Sequence, residues 1–121
     1  MRTLGQQRAQ FCLEQLENLA CERNDFKSFS AGLPAMILQN GFGQTLAFLQ
    51  AKSTGNDKHR QGFVIITAWL VKRGILQDST RDVELLRQIS SMDQKQYLHA
   101  QRETLAMLEW LKRYANAELF T

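Results

Sequence analysis

Apolar side chains recur every three to four residues through most of the chain, the period of helices that bury one face. Ala9, Cys12, Leu13, Leu16, Leu19 and Ala20 share such a face, which predicts an amphipathic helix over roughly residues 4–23. Thr3-Leu4-Gly5-Gln6 has capping-box spacing at its start. Phe26 to Asn40 continues the helical period but contains Pro34, which lacks the amide proton of a helical hydrogen bond, so a kink or a fresh start is expected there. Asn40-Gly41 suits a helix end, Gly43 leaves the chain free to turn again, and a third helix is expected from Gln44 to about Ser53.

Thr54-Gly55-Asn56-Asp57 reads as a loop. Gly62 to Val71 is apolar on all sides and rich in β-branched residues, as a buried strand would be. Its length, its helical flanks and the Lys72-Arg73-Gly74 ending favour a buried central helix, because cations and then glycine suit a helix C-terminus. Ser79 with Asp82, and Ser91 with Gln94, are spaced to cap a fifth and a sixth helix. The sixth is expected over about Asp93 to Leu119, with Leu98, Leu105, Leu108, Leu111, Ala115 and Leu119 inward and Arg102, Glu109, Arg113 and Asn116 on its polar stripe. The fold class is therefore all-α, a compact bundle of about six helices in one domain over residues 1–121.

Composition changes this picture little. With 44% apolar and 22% charged residues and one proline, the 121-residue chain is ordinary globular protein. It carries no signal-peptide run and no apolar stretch long enough to span a bilayer, so a cytoplasmic protein without membrane contact is expected. Cys12 and Cys21, read as lying on one helix about 13 Å apart along its axis, do not pair and stay reduced.

Catalytic chemistry is not visible. His59 and His99 have no second metal ligand beside them, Gly41-Phe42-Gly43 lacks the lysine and hydroxyl of a phosphate loop, and no carboxylate pair is sequestered. No metal or other cofactor is expected, and the chain reads as a binding protein, not an enzyme. Trp69, Trp110, Phe48 and Tyr114 occur among aliphatics at helical spacing, where core packing is their ordinary role.

Charge is more informative. The net charge is +3, and residues 51–76 hold five cations against one acid, while the segments on either side are near balance. A local basic excess suits a polyanion, although a solvated helix end gives the same count. Helical spacing offers Glu109 to Arg113 and Lys112, Glu84 to Arg87 and Asp57 to Arg60, whereas Arg8, Lys52, Lys72, Arg73 and Arg102 have no acid at these spacings. Complementing a helix dipole is the plainer role for Lys72 and Arg73, and packing of its stem is the plainer role for Arg8.

Three blocks then stand out together: Met1-Arg2-Thr3-Leu4-x-Gln6-x-Arg8-Ala9; Leu33-Pro34-x-x-Ile37-x-x-Asn40-Gly41-x-Gly43-Gln44-x-Leu46-Ala47-Phe48; and Tyr97-x-x-Ala100 with Leu105-Ala106-x-Leu108-x-Trp110-Leu111-Lys112-Arg113-Tyr114-Ala115. In this order they resemble the small subunit of the type III-B CRISPR Cmr effector complex. The resemblance implies an α-helical subunit without nuclease activity, partnered by other Cmr subunits and by copies of itself. It further implies contact with the guide RNA–target RNA duplex through a basic face. Arg8, Lys52, Lys112 and Arg113 match basic positions of the family pattern. Lys58, Arg60, Lys72 and Arg73 join the RNA-binding set from the charge count alone. The alternative is a helical protein–protein spacer whose basic face meets acidic neighbours.

Overall fold

A computed structural model, which describes residues 1–120, winds the chain into six α-helices: α1 (Leu4–Glu17), α2 (Arg23–Asn40), α3 (Phe42–Lys52), α4 (Lys58–Lys72), α5 (Asp82–Ser90) and α6 (Gln94–Asn116). No strand occurs among the described residues. The β-branched run 62–71 is helical throughout. Within α4, Phe63, Ile65, Ile66, Trp69 and Leu70 are all buried, each contributing about 1.5–3 kcal/mol by leaving water.

α1 starts where expected, with the Thr3 hydroxyl accepting from the Gln6 amide and the Gln6 side chain accepting from the Thr3 amide. It ends six residues before the expected 23. Asn18 turns its side-chain amide to the Glu14 carbonyl, 2.9 Å away, and the Arg23 guanidinium donates to the Leu16 carbonyl at 2.7 Å, so side chains satisfy carbonyls that a further helical turn would have used. Glu22 then caps α2 through the amides of Asn24 and Asp25. Cys21 consequently lies in the bend after α1, not on it, while Cys12 is fully buried and donates weakly to the Met107 carbonyl.

Pro34 brings no fresh start: α2 runs unbroken through it to Asn40. The reversal comes at Gly41, whose φ of 89° and ψ of 156° are open only to glycine. Gly43 then donates its amide to the Tyr97 hydroxyl at 2.7 Å, and a Cβ there would stand 3.3 Å from the same oxygen. The two glycines thus have separate tasks, one reversing the chain and one admitting α6.

The other two capping sites move. Ser79 accepts from the Arg81 amide but precedes α5 by three residues, and α5 begins without a side-chain cap. Asp93 and Gln96, not Ser91 and Gln94, make the capping box of α6.

α6 is the spine. Arg8 meets Glu103 and Cys12 meets Met107, contacts that advance together, so α1 lies parallel to it. α2 runs the opposite way, with Lys27 near its start paired to Glu118 and the turn at its end meeting Tyr97. The buried stripe of α6 is Ala100, Glu103, Thr104, Met107, Leu108 and Leu111, rotated from the expected leucine stripe. Leu98 and Leu119 are exposed, and so, contrary to expectation, is Phe48.

Candidate nucleic-acid interface

The expected RNA-binding cations do not form one face; they fall into three groups. Lys52, Lys58 and Arg60 gather where α3 ends and α4 begins. Lys72 and Arg73 end α4, about 21 Å further along its axis, beside Arg8 on α1. Lys112 and Arg113 lie near the end of α6.

At the start of α4, Asp57 accepts from the Arg60 amide as helix cap, and the Arg60 guanidinium turns instead to Asp82 on α5 in a two-pronged ion pair. The hydrogen bond from the Arg60 amide, chief among several, holds the Asp57 carboxyl below its ordinary value. Lys52 is exposed and Lys58 half-buried, and neither has an acidic partner among the described residues. His59 sits edge-on between the rings of Phe29 and Phe48.

At the other end, Arg8 and Arg73 are not the free cations that helical spacing suggested. Both reach Glu103, a carboxylate 95 and 30 positions away and only 4% exposed. Arg8 holds it with two parallel hydrogen bonds of 3.1 Å, and the Trp69 indole N–H donates to the same group at 3.2 Å. Arg73 Nε lies 3.4 Å away without a hydrogen bond. Burial pushes the Glu103 carboxyl up, but the hydrogen bonds and charge of Arg8, the charge of Arg73 and the indole together outweigh it and hold the group below its ordinary value. Two guanidinium groups face one carboxylate, so this corner retains a positive charge. Lys72 is exposed, its ammonium 6.0 Å from the centre of the Phe11 ring.

On α6, Glu109 pairs with Lys112 at 3.2 Å, not with Arg113, which is exposed. Among the described residues, Lys52, Lys58, Lys72 and Arg113 of the expected set therefore carry no acidic partner. Lys95 and Arg102, on the outer side of α6, share that state.

Sequence reasoning missed three features. Glu103 sits in the run Ala100-x-x-Glu103-Thr104-x-x-Met107-Leu108-x-x-Leu111, as regular as the leucine stripe, and Trp69 in an apolar helix needed an acceptor for its indole. Lys95 has no acid three or four places away, so the spacing rule applied to the other cations would have found it. A third feature is the absence of any charged residue from 28 to 51. It makes much of α2 and α3 a neutral surface on which Leu38 and Phe48 are 69% and 41% exposed.

The fold and these surfaces define a small all-α bundle with separate cationic patches and one uncharged side. The chain belongs to the Cas_Cmr5 family of CRISPR-associated proteins, whose model matches residues 4–118. It is 32% identical to the CRISPR system Cmr subunit Cmr5 of Thermus thermophilus, over 97% of this chain and 96% of that protein. It is 31% identical to the subunit of the same name from Thermotoga maritima, over 93% and 82% respectively. The crystal structure of a Cmr5 family protein from Thermus thermophilus superposes with a TM-score of 0.75 at 28% identity, covering 98% of this chain and 99% of that one. No described helix is long and apolar enough to cross a membrane.

Proposed function

We propose that this chain is a non-catalytic small subunit of a type III-B CRISPR Cmr ribonucleoprotein, stacked with copies of itself and touching the target RNA backbone through its basic residues. Family membership carries the assembly role. The RNA contact is supported by the solvent-facing cations without acidic partners, Lys52, Lys58, Lys72 and Arg113 among them. Such cations meet phosphates without reading bases, so sequence choice belongs to the guide. Affinity per copy is weak, and several copies along one strand supply the rest.

Tagged protein recovered from its native host should bring down other Cmr subunits and short CRISPR-derived RNA. Recovery of the protein alone, under gentle low-salt conditions, would overturn the assembly role. Within the complex, Lys52→Ala with Lys58→Ala should weaken RNA binding for all sequences alike and flatten its salt dependence.

The neutral surface of α2 and α3 favours a second reading, in which the chain is a protein–protein spacer without nucleic-acid contact. Under that reading the same two substitutions leave RNA binding intact and impair assembly even without RNA.

A further inference from the structure

α6 carries Lys95, His99 and Arg102 at positions i, i+4 and i+7, so the three share one face and span about 10 Å along the helix. They line a shallow depression together with the exposed Leu98. His99 also lines a second cleft of about 530 Å³ between the end of α4, the end of α5 and α6, and Arg73 lines that cleft with it. Only the tertiary fold joins the two depressions, because Arg73 arrives from another helix. No carboxylate lines either one. Asp93, two residues before Lys95, turns its carboxylate to the Gln96 amide as helix cap.

The two outer charges, Lys95 and Arg102, are available. Lys95 and Arg102 make no hydrogen bond or ion pair among the described residues. Arg73 is the second cation on a carboxylate that Arg8 already holds with both prongs, and its Nε, though buried, has no hydrogen-bond partner. An acidic protein surface would be expected to bring an apolar centre to bury. Leu98 is the one large exposed apolar side chain here, whereas a line of cations suits a ligand whose negative charge repeats along its length.

We propose that Arg73, His99, Lys95 and Arg102 form a path for the phosphodiester backbone of single-stranded RNA across the start of α6. This path rests on the RNA-binding reading above and deepens it with three residues outside the set expected from sequence.

The test is binding of the purified full chain to a uridine homopolymer oligonucleotide across a salt series, read by fluorescence anisotropy. Lys95→Ala with Arg102→Ala changes exposed positions and leaves Glu103 its partners, so the fold should be unaffected by circular dichroism. This pair should lose about tenfold in affinity at low salt, and its salt slope should fall by roughly 1.4, about 0.7 per cation on a single strand. Arg81→Ala with Arg87→Ala removes the same charge from cations that already face Glu84, and should change affinity less than about twofold. Equal losses in the two pairs would reduce the effect to net charge and overturn the path. Undiminished RNA binding by the Lys95 and Arg102 pair would also overturn it while leaving the RNA reading standing. Loss of poly-glutamate binding alone would assign the face to an acidic protein instead. Failure of the unmodified chain to bind the oligonucleotide, together with failure of its assembled complex to bind an RNA complementary to the guide, would remove the RNA reading and the path together.

Discussion

A carboxylate among buried side chains costs several kcal/mol unless its oxygens are bonded and its charge is matched. Glu103 meets both conditions through Arg8, Arg73 and Trp69, and so ties α1, α4 and α6 at one point. Glu103→Gln keeps the shape but strands two guanidinium groups. It should destabilise the chain by about 3–5 kcal/mol, seen as a lower midpoint in urea unfolding. The pH dependence has a definite sign. Because the folded protein holds this carboxyl below its unfolded value, the node's contribution is fully present above that unfolded value and is lost as pH falls through the lowered one. Acid unfolding of the unmodified chain should therefore take up a proton at Glu103 that the Glu103→Gln variant does not take up; identical pH slopes of stability through and below the carboxylate range would refute this. Arg8 illustrates how one side chain can satisfy a family pattern for reasons of structure: its match to a basic position is already explained by Glu103.

At the scale of elements, the ends of the helices are set by chemistry within a few residues, some of it invisible to the apolar period. Thr3 and Gln6 cap α1 as their spacing requires. The end of α1 escaped the same reasoning because the apolar period runs on through Leu19, while the groups that stop it, Asn18 and Arg23, are ordinary polar residues. Pro34 is tolerated inside α2, where only one hydrogen bond is forfeited and the helix keeps its buried face of Phe26, Leu33 and Ile37. The α2–α3 reversal is less forgiving. Gly41→Ala puts a Cβ on backbone at φ 89°, and should cost about 1–3 kcal/mol, measured as a drop in Tm, whereas Gly32→Ala, on an exposed helical position with nothing within 4 Å of its Cβ, should be neutral or stabilising.

Across the whole molecule the surface is divided by charge. The neutral side of α2 and α3 is suited to other protein, and the cations elsewhere to phosphate. Leu38→Asp should leave thermal stability within about 0.5 kcal/mol, since Leu38 is already exposed. It should nevertheless reduce recovery of partner subunits on a tagged chain, because a buried interface would then hold an unpaired charge. Unchanged recovery would remove this side from the assembly surfaces.

Six helices, their order and the buried centre at α4 were legible from residues alone, because helical period, caps and glycines act over a few positions and report on themselves. The three motif blocks were legible too, and they led to the family. The grouping of cations was not. Whether Arg8 or Arg73 faces solvent or Glu103, whether Arg60 meets Asp57 or Asp82, and whether His99 shares a cleft with Arg73 all depend on helices that pack across tens of residues. Charge acts through space and not along the chain, so tertiary structure alone decided which cations are spoken for and which remain to meet a ligand.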